Sequence, residues 1–534
     1  MPQTNSQNFD VVIIGAGING AGIARDAALR GLKVLLLDKD DIASGTSSYS
    51  TRLIHGGLRY LEYGEFALVR ESLREREVLL RMAPHLVRPL PILIPIFSGM
   101  RRGRGKIRAG MIAYDLLSLG KSLPGHSTLS AKETLRRIPS LNSDGLLGSV
   151  VYYDAQVEFA ERLVFENVLA AVEYGATLIT HAGIEDFATA DNHLIAATYR
   201  LQSGESRKAA ARFFVNATGP WIDRVLARTR SASNERLLGG TKGSHIIVAP
   251  FVETGLTAIY IEAQTDGRPF FIIPWNGNYL IGTTDIRFDK NPDEATAENW
   301  EVDYLLTETN RLIPDANLSR DDILYSYSGV RPLPFTTDHQ EDRITRRHFI
   351  KQHKHLNNLV SIIGGKLTTY RSLAEECVDL ICQRLNHDCA KCRTSDLPLP
   401  GALNLESFAL EFTKRSELSA AAKSRLLRIY GSRAGDVIEF CRSQGLTEYL
   451  DEEQTILAGE IAFSLEREFA ETLIDCLMRR TMIGLNADLG LNQVELAARI
   501  ASQHGHWDEQ RRNNELQKYR AFIANRKNFP QSNR

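Results

Sequence analysis

Gly15-Ala-Gly17-Ile-Asn-Gly20 sets glycines where a chain turns from a strand into a helix. With no side chains in the way, the backbone can approach a pyrophosphate closely, and the first helical N–H groups point at it. Asp38 ends the next apolar run. A carboxylate there accepts hydrogen bonds from the adenosine ribose hydroxyls and repels a 2′-phosphate, which disfavours NADP. Strand, spacing, helix and terminal acid together read as a dinucleotide site, a pattern that FAD and NAD share. A second chemistry is carried by Arg59, Arg331 and Lys366, with Tyr60 beside the first, each in a segment framed by glycine, proline or aromatic residues. Guanidinium forks match phosphate oxygens, so this set reads as an anion clamp. The arginines between Arg74 and Arg81 read instead as a solvated helix face. His245 follows Gly243-Ser244 at the start of an apolar run. An imidazole with a pKa of about 6.5 accepts a hydroxyl proton near neutral pH, which makes His245 the candidate general base; substrate orientation is the alternative role.

The elements that must position these residues follow from the apolar pattern. Val11 to Ile14, the glycine turn, an alanine-rich stretch to Leu29 and the run Val34 to Leu37 form a β-α-β unit. Two more apolar runs end in site-like turns, Phe213 to Asn216 before Ala217-Thr-Gly219, and Leu359 to Ile363 before Gly364-Gly365. The nucleotide domain is therefore expected in pieces, 1–90, 150–232 and 345–395. Gly243 to Val248, Pro269 to Pro274 and Tyr279 to Thr284 read as short strands, the last two joined by Trp275-Asn-Gly-Asn278. They predict a largely antiparallel substrate domain over 91–149 and 233–344. After Pro398-Leu-Pro-Gly401 the pattern turns to amphipathic helices, Glu453 to Arg480 among them, giving a helical domain over 396–534 for support or for self-association as a homodimer.

Bulk properties exclude several classes. The chain has 534 residues and a net charge of -1, so it offers no general attraction to nucleic acid. No secretory h-region opens it, and Pro91 and Pro95 interrupt its most apolar stretch, so a cytoplasmic protein without a spanning helix is expected. Arg101, Arg102, Arg104, Lys106 and Arg108 lead into Met111-Ile-Ala-Tyr-Asp-Leu-Leu117, a basic stretch beside an apolar one that suits an anionic lipid surface. Cys389-x-x-Cys392, near Cys382 and His387, has only partial metal-ligand spacing; reduced thiols and no metal are expected.

Six ordered segments carry a resemblance: Gly45-Thr-Ser-Ser48, Leu53-Ile-His-Gly-Gly-Leu-Arg-Tyr-Leu61, Val215-Asn-Ala-Thr-Gly-Pro-Trp221, Lys242-Gly-Ser-His245, Ser328-Gly-Val-Arg-Pro-Leu333 and Gly364-Gly-Lys-Leu-Thr-Thr-Tyr370. In these the chain resembles the FAD-dependent glycerol-3-phosphate dehydrogenases, within the wider class of glycine oxidase and D-amino-acid oxidase. The resemblance implies an α/β fold with a discontinuous Rossmann-like FAD-binding domain, a largely antiparallel β substrate domain of the D-amino-acid oxidase class, and a C-terminal α-helical domain.

It also implies FAD rather than NAD, sn-glycerol 3-phosphate as substrate, and a membrane quinone as acceptor at the cytoplasmic face of the membrane. The expected cofactor residues are Gly15, Gly17, Gly20, Asp38, Thr46, Ser47, Ser48, His55, Gly56, Gly57, Ala217, Thr218, Gly219, Gly364, Gly365, Lys366, Leu367 and Thr368. Arg59, Tyr60, Arg331 and Lys366 are expected at the substrate, and His245, Arg331 and Lys366 in the chemistry. At Gly364-Gly365-Lys366, backbone donors, a helix dipole and an ammonium would meet the negative charge of a reduced flavin. Competing readings are an oxygen-using glycerol-3-phosphate oxidase and a non-catalytic FAD-containing assembly protein that binds phosphate.

Overall fold

The computed structural model describes residues 7–230, 236–336 and 344–527. One sheet has five parallel strands at its centre, Leu356–Ile363, Ser206–Asn216, Gln7–Ile14, Val34–Leu37 and Thr177–Ile179, side by side in that order. The Val34–Leu37 run is wholly apolar because both of its faces are covered: Val34 and Leu36 share a core with the helices, Leu35 and Leu37 with Phe187 and Leu194 of the strands Gly183–Ala190 and His193–Arg200. Ile18–Leu29 packs across it through Ala21, Ala24 and Ala28. Four chain segments leave the C-terminal ends of these strands together, at Gly15, Asp38, Ala217 and Gly364. Ligands of doubly wound sheets bind at that edge, so residues dispersed along the sequence meet there.

The second sheet has ten strands and is antiparallel throughout except where Ala258–Glu262 runs parallel to Val87–Phe97. The expected hairpin is present: Trp275 pairs with Asn278, and Asn276 and Gly277 between them have φ of 47° and 75°, as a primed two-residue turn requires. Thr241–Val248 lies one strand in from an edge of this sheet, flanked by Asn278–Gly282 and Ile323–Arg331. Leu53–Ile54 adds a short edge to this sheet while the residues on either side of it reach the other one's cavity. The two sheets are thus laced together by the chain.

Helices make up the C-terminal part, and Ile461, Leu477 and Leu485 share one apolar core with Ile247, Trp275 and Tyr325 of the second sheet. The long helix expected over Glu453 to Arg480 is not continuous. Gly459–Arg467 ends before the buried Glu468, Phe469 turns at φ 59°, and a π-turn follows over Asp475–Arg480. The break lets Glu468 accept from Arg162 at 2.7 Å and from Arg433 at 2.7 Å. Arg480 in turn donates to both oxygens of buried Asp41, at 2.9 and 2.7 Å, and Arg479 adds a bond at 2.6 Å.

Two further expectations are corrected. Arg76 does not lie on a solvated face; it is 1% exposed and pairs with Asp154 at 2.6 Å, because its turn of the helix Phe66–Met82 faces the second sheet. Cys382 and Cys389 form a disulfide rather than free thiols. The helix Tyr370–Leu385 ends on Asn386 at φ 48°, which turns the chain back on itself and brings Cys389 to Cys382. Cys377, Cys392, Cys441 and Cys476 are free, and no His, Cys, Asp or Glu cluster among the described residues is arranged to hold a metal.

Candidate active site

A continuous cavity of about 580 Å³ opens at the C-terminal edge of the parallel strands and extends against the second sheet. Gly15, Gly17, Asp38, Thr46, Ser47, Ala217, Thr218 and Gly219 line it together with His55, Gly57, Arg59, Tyr60, His245, Arg331 and Gly364 to Thr368. Of the residues expected at the cofactor, Gly20, Ser48 and Gly56 stand outside this lining. Gly20 is a packing glycine, since a Cβ there would meet Gly15 O at 1.8 Å. Ser48 is buried and donates to Ala43 O at 2.6 Å, closing its own turn. Gly56 sits behind the wall, where a Cβ would meet the Tyr114 hydroxyl at 2.4 Å.

The nucleotide end is built from turns that hold one another. Gly15 has φ 104° and lies so near Ala217 that a Cβ would meet its carbonyl oxygen at 2.6 Å. The helix Ile18–Leu29 begins at Gly17 with no side-chain cap of its own, and Ile18 N–H donates to Ser47 Oγ at 3.0 Å. Asp38 accepts from Ala16 N–H at 2.6 Å and from Asp40 N–H at 2.9 Å. Burial pushes its carboxyl up to about 6 against those two bonds, and the charges of Asp40 and Asp41 add to the rise. Gly364 and Gly365 have φ of 74° and 92°, and Asn19 Nδ2 donates to Gly364 O at 3.2 Å, tying this turn to the first.

The same cavity carries the cations. Arg331 Nη1 donates to Asp285 Oδ1 at 2.9 Å, and Arg346 Nη2 donates to Asp285 Oδ2 at 2.8 Å. One carboxylate serves two guanidinium groups, which leaves a net positive centre. Arg346 Nη1 is buried with no hydrogen-bond partner among the described residues, and a buried donor in that state is costly unless an acceptor reaches it. Lys366 Nζ lies 4.1 Å from the Tyr60 ring centre and 3.1 Å from Ser72 Oγ. Arg59 lies over the Tyr63 ring at 5.8 Å.

His245 is 1% exposed, and its Nε2 lies 2.9 Å from Thr51 Oγ1. Its ring packs on Tyr327 at 4.9 Å and over Gly282, where a Cβ would meet Cδ2 at 2.4 Å. Nδ1 has no partner among the described residues. Burial, then the charges of Arg331 and Arg52, hold the imidazole well below its usual pKa, so it is neutral at physiological pH. His55 is lowered by burial to about 4 and is neutral as well.

Sequence reasoning missed Arg346, Asp285, Thr51 and Arg52. Arg52 is buried, pairs with Glu161 through two bonds at 2.6 and 2.8 Å, and packs on Trp275 at 4.6 Å. Arg346 had a weak signal in Arg346-Arg347, but nothing local ties it to Arg331.

The model for FAD dependent oxidoreductases matches residues 10–371. The chain belongs to this family. Its FAD is accommodated by the features above: glycines that leave no room for a Cβ, a helix start without its own cap, and buried atoms on Asn19 and Trp221 at the wall that have no hydrogen-bond partner among the described residues. A second match, to the C-terminal domain of alpha-glycerophosphate oxidase, covers residues 392–512. Within the family, the chain is 43% identical to a glycerol-3-phosphate dehydrogenase of Synechocystis sp. over 98% of this chain and 97% of that one. It is 39% identical to a D-erythritol 1-phosphate dehydrogenase of Brucella abortus over 92% and 97%. A solved structure of the glycerol-3-phosphate dehydrogenase from Bacillus halodurans complexed with FAD superposes with a TM-score of 0.80 at 27% identity, covering 100% of this chain and 98% of that one.

Proposed function

We propose that this oxidoreductase converts sn-glycerol 3-phosphate to dihydroxyacetone phosphate and passes the electrons to a membrane quinone. The observation that carries the reading is the Arg331, Asp285 and Arg346 cluster standing in one cavity with a neutral buried histidine and the glycine turns. The name of the Synechocystis relative supports the substrate, and that of the Brucella abortus relative makes erythritol 1-phosphate the competitor to test. FAD, when bound, supplies a hydride acceptor. Gly15, Gly17, Asp38, Thr46 and Ser47 would hold its nucleotide half with Ala217 to Gly219, Gly20 and Ser48 shaping the turns; His55 and Gly57, backed by Gly56, and Gly364 to Thr368 would hold its ring.

Arg59, Tyr60, Arg331 and Lys366, with Arg346, take the substrate phosphate, and His245 takes the hydroxyl proton. A neutral imidazole is in the correct form for that task. The two charges that depress it belong to Arg331 and Arg52, and a phosphate dianion on Arg331 offsets part of that field, so substrate binding makes His245 a stronger base. Segments 1–90, 150–232 and 345–395 form the FAD domain, 91–149 and 233–344 the substrate domain, and 396–534 a support.

The helix Arg104–Leu117 exposes Ile112 and Leu116 beside Arg104 and Arg108, and Leu119 follows at 73% exposure. That pairing of charge and apolar surface fits anionic lipid. Arg102 is excluded from this face by its ion pairs with Glu62 and Glu262. No helix among the described residues is long and apolar enough to cross a membrane.

The test is an anaerobic spectrum of the holoenzyme. Glycerol 3-phosphate should bleach the flavin faster than erythritol 1-phosphate, and an unaltered spectrum with both would overturn the reading. Reoxidation by a short-chain quinone should outpace oxygen uptake; appreciable peroxide would assign an oxidase instead.

A further inference from the structure

The edge strand Leu53–Ile54 pairs with Gln156 and Ala155 and then stops. A continued ladder would carry the chain past Asp154, away from the cavity. Instead the Asp154 side chain reaches across: its Oδ1 accepts Gly56 N–H at 3.2 Å, so a carboxylate ends the pairing that a backbone carbonyl would have extended. Asp154 is 0% exposed and is held by Arg76 at 2.6 Å and by the Tyr114 hydroxyl at 2.8 Å. Tyr114, from the helix Arg104–Leu117, also accepts Gly56 N–H at 3.0 Å.

Gly56 is thereby clamped from behind, and only a glycine fits, since a Cβ would lie 2.4 Å from the Tyr114 oxygen and 2.7 Å from Leu73 Cδ2. On the cavity side, His55 N–H donates to Thr368 Oγ1 at 3.2 Å. The chain then turns at Gly57, φ 79°, directly into the short helix Leu58–Tyr63 that carries Arg59 and Tyr60. The exit angle of this segment is set at Gly56, three residues before Arg59, and a small rotation there displaces both side chains.

We infer that Tyr114 and Asp154, neither of which is assigned a place at the substrate, are positioning residues that fix the His55–Tyr60 segment and so set the affinity for the substrate phosphate. The inference rests on the proposed phosphate role of Arg59 and Tyr60. Loss of the Tyr114 hydroxyl leaves Gly56 and Arg76 bonded to Asp154 and keeps the ring packed edge-on against Tyr152 at 5.7 Å, so the fold survives while the clamp loosens.

The experiment compares wild-type holoenzyme with Tyr114→Phe. In wild type, bleaching by glycerol 3-phosphate establishes the substrate reading, and its absence would remove that reading alone. Given bleaching, Tyr114→Phe should raise KM roughly tenfold, the equivalent of one lost hydrogen bond, with kcat and bound FAD within about twofold of wild type. Inorganic phosphate, which needs no turnover, should protect the variant against heat only at correspondingly higher concentration. Asp154→Asn, which retains an acceptor for Gly56 while losing the charge, should move KM in the same direction and serves if the first variant does not accumulate. A lowered melting temperature with unchanged KM and unchanged phosphate protection would make the pair a stabilising contact only and overturn the inference.

Discussion

Arg331 and Asp285 pair at 2.9 Å in the wall of the cavity. The bond holds the guanidinium in place before any anion arrives, and because Asp285 also serves Arg346, the site keeps surplus positive charge. Burial raises the Asp285 carboxyl and the two guanidinium groups more than reverse this, leaving it below its usual value and ionised at neutral pH.

Arg331→Ala should therefore raise KM for glycerol 3-phosphate on the order of a hundredfold, ~3 kcal/mol of lost charge-assisted bonding. FAD content should stay normal, since among the described residues this side chain bonds to Asp285, Thr283 and Thr284 rather than to a nucleotide turn. Steady-state kinetics with flavin absorbance on the same sample checks both parts, and a changed FAD content with constant KM would contradict the assignment.

His245→Asn should slow flavin reduction in single-turnover stopped flow by about 10² to 10⁴, the usual contribution of a positioned base. It should also change acid stability. The unfolded chain takes up this proton near pH 6.5, the folded chain only well below it, so folding free energy falls as pH drops under about 6.5. Denaturant titrations of FAD-free protein at pH 7.5 and pH 5.5 should show a smaller acid loss in the variant.

Asp38, pushed up to about 6, makes cofactor uptake pH-dependent. Ribose hydroxyls donate best to the ionised carboxylate, so the FAD affinity of stripped protein should fall as pH drops through about 6. Asp38→Asn should bind FAD more weakly at pH 7.5 and show a flat profile between pH 5 and 7.5, measured by quenching of FAD fluorescence.

Arg104→Gln with Arg108→Gln should weaken binding to phosphatidylglycerol vesicles about thirtyfold at low salt, at ~1 kcal/mol for each charge. Neutral vesicles should barely distinguish the variant from wild type in a sedimentation assay. Equal binding to both vesicle types by wild type would exclude this helix as an electrostatic dock.

The parts legible in the sequence were those encoded locally. Gly15, Gly57 and Gly364 announce themselves because positive φ or close backbone approach needs glycine in any context, and the Trp275–Asn278 turn is set by its own Asn-Gly pair. His245 and Arg331 were found through the segments that carry them. Arg346, Thr51 and Asp154 were not, because each acquires its meaning from a partner far along the chain: Asp285, His245 and Gly56 respectively. The misread helix over Glu453 to Arg480 has the same origin. Its apolar spacing is helical, but the break at Glu468 is dictated by Arg162, about 300 residues earlier, where no periodicity can register it.

The ion pairs that join Asp41 to Arg479 and Arg480, and Arg162 to Glu468, have a bearing on how the molecule is divided. Stripping one partner from such a buried pair costs about 3 to 5 kcal/mol, and removal of the helical part would strip several at once, beside the loop that begins with Asp38. A shortened chain ending near residue 400 would not be a smaller flavoenzyme with its appendage trimmed. It would be an unstable remnant whose unpaired Asp41 carboxylate lies next to the very turn that has to grip adenosine.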